Sequence, residues 1–189
     1  LICTGTLIDP NIVLTAGHCL CDDFGIFWVE VGGDLYSVKK VIQHPEYQIG
    51  LNSIHNDAAI IVLNQNVGSI TPVCLNSESL MAYKGTAVVT AGYGSNIKKY
   101  SPLGLFWYYG TLESEPTNLK ILTLRGSSIF HGDSGGPVYM LINCRLVMVG
   151  INSSYSIQDN KIYENSACRV DVIYDWIIRT AENERMVPN

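Results

Sequence analysis

The sequence predicts an all-β fold closed by a single C-terminal helix. Three observations predict it. Short runs rich in β-branched and aromatic residues recur along most of the 189 residues, punctuated by Gly, Asn, Asp and Pro. No heptad, low-complexity tract or internal repeat interrupts them. Helical spacing of apolar residues stands out once, at the very end. Many short strands at this spacing suggest a barrel or a sandwich.

In chain order the first strands read TGTLI (4–8), NIVLTA (11–16), IFWVEV (26–31), LYSVKKVIQ (35–43) and AAIIVL (58–63). The polar, turn-prone stretch NQNVGSITP (64–72) divides two β halves, about 1–70 and 71–189. The second half continues with TAVVTA (86–91), GLFWYYGTL (104–112), LKILTL (119–124), PVYMLI (137–142) and RLVMVGI (145–151). The helix is expected over 171–186. Val172, Ile173, Trp176, Ile177 and Thr180 recur on one face, Asp171 serves as its cap, and Arg179, Glu182, Glu184 and Arg185 face water.

Bulk properties narrow the function. With 47% hydrophobic and 15% charged residues, the chain is globular rather than disordered. A net charge of −5 argues against non-specific binding to nucleic acid or anionic membranes. The longest apolar run, Ala58 to Leu63, is far too short to span a bilayer. The opening LICTGTLIDP does not read as a signal peptide, since it has no basic start and Asp9 and Pro10 interrupt it. None of the six cysteines forms a C-x-x-C pair, and Cys19-Leu20-Cys21 is a poor zinc half-site. No His/Asp/Glu cluster has metal-ligand spacing, so no metal or cofactor is expected, and His44 and His55 read as loop residues. A disulfide-bearing, exported protein fits this cysteine usage, with fifteen pairings open on paper.

The densest chemical signal is IFHGDSGGPVY (129–139). Glycine, proline and aspartate suit a tight turn, which accounts for the composition but not for the order. At average residue usage, Gly-Asp-Ser-Gly-Gly-Pro arises by chance roughly once in 10⁵ chains of this length. Two other residues give the serine a context. His18 follows a strand in VLTAGHCL, and Asp57 stands at the mouth of the most apolar strand of the first half, in NDAAIIVL. A serine hydroxyl needs a base to become a nucleophile at neutral pH, and histidine is the side chain suited to that. A carboxylate holds the imidazole tautomer and stabilises the imidazolium.

TAGHC (15–19), NDAAIIVL (56–63), AGYGS (91–95) and GDSGGPVY (132–139) together resemble the chymotrypsin/trypsin-like serine proteases, and SACRVDVIYDWI (166–177) resembles that family's last strand and closing helix. The resemblance runs from residue 1 to about 180 and is loose between roughly 96 and 127. It implies two packed Greek-key β-barrels, the first carrying His18 and Asp57, the second carrying Ser134. It implies Ser134 as nucleophile, His18 as base, Asp57 as orienting acid, and the backbone N–H groups of Gly132 and Ser134 as the oxyanion hole. Asp133 resembles the aspartate that pairs with a newly cut N-terminal amine when a zymogen of the family is activated. Cys3 and Cys19 match the cysteines that close the histidine loop. Cys74 resembles a cysteine that pairs elsewhere in some members, here with Cys144 or an upstream segment, while Cys21 and Cys168 have no assigned partner.

Four departures qualify what the resemblance implies. The chain starts inside what should be an early strand, so the first strand is expected to be missing. The interval from Gly94 to Gly132 is short, as in bacterial and glutamyl-endopeptidase-type members. The position that bears aspartate in trypsin is Ser128, and a cysteine of the family is replaced by Phe130. A pocket of Ser128, Ile129 and Phe130 implies an uncharged substrate side chain rather than Arg or Lys, whereas His131 would suit an acidic one. The strand beside the substrate reads NSSYS, so Ser153 and Ser154 offer backbone pairing and Tyr155 narrows the cleft. Asn152 heads a glycosylation sequon that is expected to stay unmodified on such a strand. The expected function is that of a secreted or periplasmic, monomeric serine endopeptidase acting on protein or peptide substrates and open to protein inhibitors. The alternative is a catalytically inactive homologue that uses the fold as a binding module.

Overall fold

The computed structural model of the chain describes residues 3–20, 28–50, 54–94, 106–114, 118–123, 129, 131–158 and 161–185. In the first half, β1 (Thr6–Asp9), β2 (Ile12–Thr15), β3 (Trp28–Val31), β4 (Asp34–Gln43) and β7 (Ala59–Leu63) form one antiparallel sheet in the order β1-β2-β7-β4-β3. Two short strands, β5 (Gln48–Ile49) and β6 (Ile54–His55), pair separately. In the second half, β8 (Ala87–Gly92), β9 (Phe106–Ser114), β10 (Asn118–Thr123), β11 (Pro137–Ile142), β12 (Arg145–Gln158) and β13 (Lys161–Arg169) close into a barrel, with β9 joined to β10 at the seam. β13 runs straight into α1 (Val170–Glu184).

Both faces of β7 are buried, which is why its sequence is an unbroken apolar run rather than an alternating one. Alternation still sorts its side chains. Ile61 and Leu63 pack with Leu7, Val13, Tyr36 and Val67 on the side of β7 away from the second half. Ile60 and Val62 point the other way, into a core that also takes Met148 and Ile151 from β12 and Ile173, Ile177 and Ala181 from α1. This shared core joins the two halves. Each of its fully buried aliphatic side chains contributes about 2 kcal/mol, so the halves do not separate cheaply.

Several details of the helix differ from expectation. It spans Val170–Glu184, and its buried stripe is Val170, Ile173, Ile177 and Ala181, whereas Val172 is 47% exposed. Asp171 is not the cap. Its carboxylate is held by Arg169 at 3.0 Å and by the Leu80 amide at 3.3 Å, and the strand passes into the helix without a capping side chain. The far end is tied to the first sheet by Lys40 with Glu184 and by Arg185 with Asp9. No helix among the described residues is long and apolar enough to cross a membrane.

His44 lies in the loop after β4, as expected, but is buried there, whereas His55 lies in β6. His44 is buried, its ring lies 4.6 Å from that of Trp176 on α1, and its Nδ1 accepts the Glu46 amide at 3.2 Å. Burial lowers its pKa below the ordinary 6.5, with Glu46 opposing more weakly. Between the folded and unfolded pKa values only the unfolded chain binds the proton, so stability rises with pH there. This contribution is complete above about pH 6.5 and is lost as the pH falls. His44→Phe should therefore flatten the acid side of the stability profile. Urea midpoints of both proteins measured from pH 7.5 to 5 check this, and parallel curves would refute it.

Candidate active site

Antiparallel pairing of β2 with β7 places the C-terminal end of one beside the N-terminal end of the other, with Thr15 opposite Ala59. The two chains leave that edge together. One enters a 3₁₀ turn over Gly17–Leu20 that carries His18; the other arrives through Asp57. The Asp57 carboxylate is 1% exposed and its oxygens are engaged from three sides. Oδ1 accepts the His18 backbone N–H at 2.8 Å, and Oδ2 faces His18 Nδ1 at 2.7 Å. Ser153 Oγ donates to the same Oδ2. Burial pushes the Asp57 pKa up, but the His18 side chain, Ser153 and the His18 amide outweigh it, and the net shift is downward. Asp57 is therefore ionised at neutral pH and fixes Nδ1 of His18 as the protonated nitrogen, which leaves Nε2 basic.

Ser134 comes from the second half, in the turn ahead of β11, and is drawn against the first. The Thr4 N–H donates to the Ser134 carbonyl at 2.8 Å, and Thr4 Oγ1 donates to the Gly132 carbonyl at 2.7 Å. Thr4 is fixed in turn by Thr15 Oγ1, which donates to its carbonyl at 2.8 Å. Cys3 and Cys19 are bonded, as the resemblance implied. That bridge ties the segment ahead of β1, which holds Ser134 through Thr4, to the turn that holds His18. A loop of this size adds about 3 kcal/mol in the chain-entropy picture. Cys3, His18 and Cys19 also cluster closely enough to suggest metal ligands. The bridge uses both sulfurs, so they are not a ligand set.

Asp133 is wholly buried, and its Oδ1 accepts the Gly94 N–H at 2.8 Å. The carboxylate fits there because Gly92 and Gly94 lack side chains; a methyl group at either would run into it. Of the expected substrate-facing residues, Ile129 is buried and His131 is exposed, with Nε2 3.1 Å from the Tyr155 hydroxyl. Ser154 is half-buried, while Ser128 and Phe130 lie outside the described residues, as does Cys21. Asn152 is wholly buried and bonded to Thr90 Oγ1 at 2.6 Å, so the folded chain offers no glycosylation acceptor there.

Cys74 and Cys144 are free and exposed, so the pairing of these two is corrected. Cys168 is free, buried and pushed up to about 12 by burial and by the neighbouring Asp57 and Asp171 charges. It stays a thiol and is no competing nucleophile. Sequence reasoning missed Thr4 and the side-chain role of Ser153. Thr4 stands in no distinctive motif, and Ser153 was legible within NSSYS only as a backbone partner for substrate.

An open antiparallel sheet and a closed β-barrel, packed together and sealed by one C-terminal helix, define the trypsin-like two-barrel fold. A family model described as Trypsin matches residues 1–177, and the chain belongs to that family. It is 28% identical to "Venom serine protease 34" of Apis mellifera, over 94% of this chain and 51% of that protein. It is 24% identical to "CLIP domain-containing serine protease B4" of Anopheles gambiae, over 80% of this chain and 54% of that one. A 32% identity to human "Granzyme M" covers 49% of this chain and 40% of the relative. The chain thus spans about half the length of the curated relatives it matches.

Proposed function

We propose that this chain is the catalytic part of an exported serine endopeptidase, and that His18, Asp57 and Ser134 act as its triad. The observation that carries the reading is the fully engaged Asp57 carboxylate, which holds His18 by backbone and ring together. In this mechanism Ser134 Oγ attacks the scissile carbonyl carbon as His18 Nε2 takes its proton, and the C–O bond forms while the carbonyl π pair moves to oxygen. The N–H groups of Gly132 and Ser134 receive that oxyanion. His18 then returns the proton to the leaving amine, the C–N bond breaks, and an acyl-enzyme remains. Water activated by the same imidazole releases it. Asp57 stays ionised throughout and stabilises the imidazolium.

Asp133 would support the oxyanion hole from behind, through its hold on the Gly94 amide. The neutral residue at position 128 supports a preference other than Arg or Lys. Treating the full-length, processed protein with a fluorophosphonate and mapping the adduct by mass spectrometry tests the reading. The label is expected on Ser134 and absent from Ser134→Ala. A folded, processed sample that takes no label would indicate a binding module instead.

A further inference from the structure

Thr4 takes no part in the proposed chemistry, yet four hydrogen bonds meet on it. It lies ahead of β1 in the first half and is buried. Its N–H donates to the Ser134 carbonyl at 2.8 Å, and its carbonyl accepts from Thr15 Oγ1 at 2.8 Å. The other two bonds belong to the side chain. Thr4 Oγ1 donates to the Gly132 carbonyl at 2.7 Å and accepts the Tyr93 N–H at 3.0 Å. A carbonyl can only accept and an amide N–H can only donate, so the single hydroxyl proton points at Gly132. The branched Cβ makes the threonine rotamer stiff. With the backbone fixed on both sides, the hydroxyl is presented at one place.

What that bond fixes follows from the order of the peptide units. The two proposed oxyanion donors are the N–H groups of Gly132 and Ser134, and the peptide joining Gly132 to Asp133 stands between them in the chain. Each peptide unit is planar and moves as one piece. The Ser134 N–H shares its unit with the Asp133 carbonyl, which accepts the Gly136 N–H at 3.0 Å and Asn152 Nδ2 at 3.4 Å. That donor is held without the Thr4 side chain. The Gly132 donor has a looser setting. Gly132 stands at φ +99°, and glycine exchanges positive for negative φ at little cost. Among the described residues, Gly132 takes one hydrogen bond, the one its carbonyl accepts from Thr4. Two adjacent amides of the second half complete the clasp. The Tyr93 N–H bonds to the Thr4 hydroxyl, and the Gly94 N–H bonds to Asp133 Oδ1 at 2.8 Å.

We propose that Thr4 is a positioning residue for the oxyanion hole: its hydroxyl holds the Gly132 carbonyl toward the first half and so keeps the Gly132 N–H aimed at the reacting carbonyl. The inference rests on the endopeptidase reading above. The hydroxyl proton is committed to Gly132, so Thr4 acts through that residue and not on the substrate. A donor that is already aimed costs no reorganisation when charge develops on the oxygen. Without the hydroxyl, the buried Gly132 carbonyl loses its partner and recovers one only by rotating. At a glycine that rotation carries the neighbouring N–H with it. The carbonyl of a bound, unreacted substrate bears little charge, so binding depends weakly on this donor. The loss falls on the step in which the oxyanion forms, and therefore on kcat.

The test compares Thr4→Val and Thr4→Ser with the wild type, each as full-length, processed protein, on one peptide amide. Rates are normalised to the fraction labelled by fluorophosphonate at completion. Valine keeps the branched shape and removes the hydroxyl; serine keeps the hydroxyl and removes the methyl group that faces Gly136. Thr4→Val should lower kcat by about tenfold to a hundredfold, short of the loss from deleting a donor outright, with KM changed by less than about threefold. A peptide aldehyde, whose tetrahedral adduct sets its oxygen in the hole, should bind Thr4→Val more weakly by a similar factor. Thr4→Ser should recover both quantities to within about threefold of wild type. An unchanged kcat in Thr4→Val overturns the proposal. An equal loss in Thr4→Ser also overturns it, since packing of the methyl group would then be the cause, as does a change confined to KM. If Thr4→Val does not fold, Thr4→Ala set against Thr4→Ser makes the same comparison. A wild type that is labelled and active while the Thr4 variants match it sinks only this proposal. A wild type that neither takes the label nor cleaves any peptide sinks the endopeptidase reading with it.

Discussion

Asp57→Asn is expected to lower kcat by about 10⁴ while leaving KM and the fold nearly unchanged, a magnitude set by well-studied serine-protease triads of this kind rather than by the present geometry. The geometry explains why the substitution is so damaging. Asp57 faces only donors: the His18 N–H on Oδ1, and His18 Nδ1 with the Ser153 hydroxyl on Oδ2. Asparagine replaces one oxygen with an NH₂ group, so a donor must meet a donor. If the amide stands at the Oδ2 position, His18 relieves the conflict by moving its proton to Nε2 and accepting at Nδ1. The nitrogen that should take the Ser134 proton is then already protonated. If the amide stands at the Oδ1 position, the His18 backbone N–H is left facing it and the turn is displaced. Both outcomes cost catalysis rather than binding. The stability profile should change as well. The folded pKa of Asp57 is lowered, so its ionised form contributes stability above the ordinary carboxylate range, and that contribution is lost as the pH falls through the folded value. The asparagine variant lacks that acid-side slope. Steady-state kinetics on a peptide amide, with thermal melts at pH 7 and pH 4, check both parts. More than about a tenth of wild-type kcat would show that Asp57 does not orient the base.

How much of this was legible depended on what each strand does. The apolar runs at 58–63 and 137–142 were visible as strands because core burial fixes their composition. By composition β12 is legible only as far as Ile151; the family resemblance extends it through NSSYS, and it continues to Gln158. Beyond Ile151 its residues are Asn, Ser and Tyr, because Asn152 is turned into the barrel, Ser153 onto Asp57 and Tyr155 toward His131. A strand whose side chains serve a site loses the alternation that identifies it. β13 was visible only through the family resemblance, for a similar reason. Near its C-terminal end its residues are small or polar: Asn165 is a buried amide, and Arg169 pairs with Asp171. The same pairing explains the misplaced cap, since an aspartate at a helix start reads as a cap unless the arginine beside it is known to hold it.

Contacts between residues far apart in sequence were the least legible. QHPEY around His44 looks like a solvated turn, and only the fold brings Trp176 over the imidazole. Thr4 is one threonine among several, yet its N–H and hydroxyl set the backbone on both sides of Asp133. By contrast His18, Asp57 and Ser134 each stand in a distinctive string, and the fold brings the first two into hydrogen-bond contact.

Gly135→Ala is expected to destabilise the protein by roughly 4 kcal/mol, enough to lower the melting temperature of a chain this size by about 10 °C. Two costs add. Gly135 has φ +81°, where a side chain is strained by about 1 kcal/mol or more. A methyl group there would also run into the Thr15 hydroxyl, the Thr4 carbonyl and the Ala16 amide. Two of those three are backbone, so the collision cannot be relieved by a rotamer change. Relief requires moving the Ser134 turn away from Thr4, which breaks the 2.8 Å bond from the Thr4 N–H to the Ser134 carbonyl. Gly33→Ala separates the two costs. Gly33 has φ +93° in the turn between β3 and β4, but a methyl there meets nothing within 4 Å. It should pay the backbone strain alone, about 1 kcal/mol. Calorimetric melts of the two variants beside the wild type measure the difference directly. If Gly135→Ala melts within about 2 °C of Gly33→Ala, the nucleophile turn is not locked against the first sheet. The idea that one backbone clamp holds Ser134 in place would then fail.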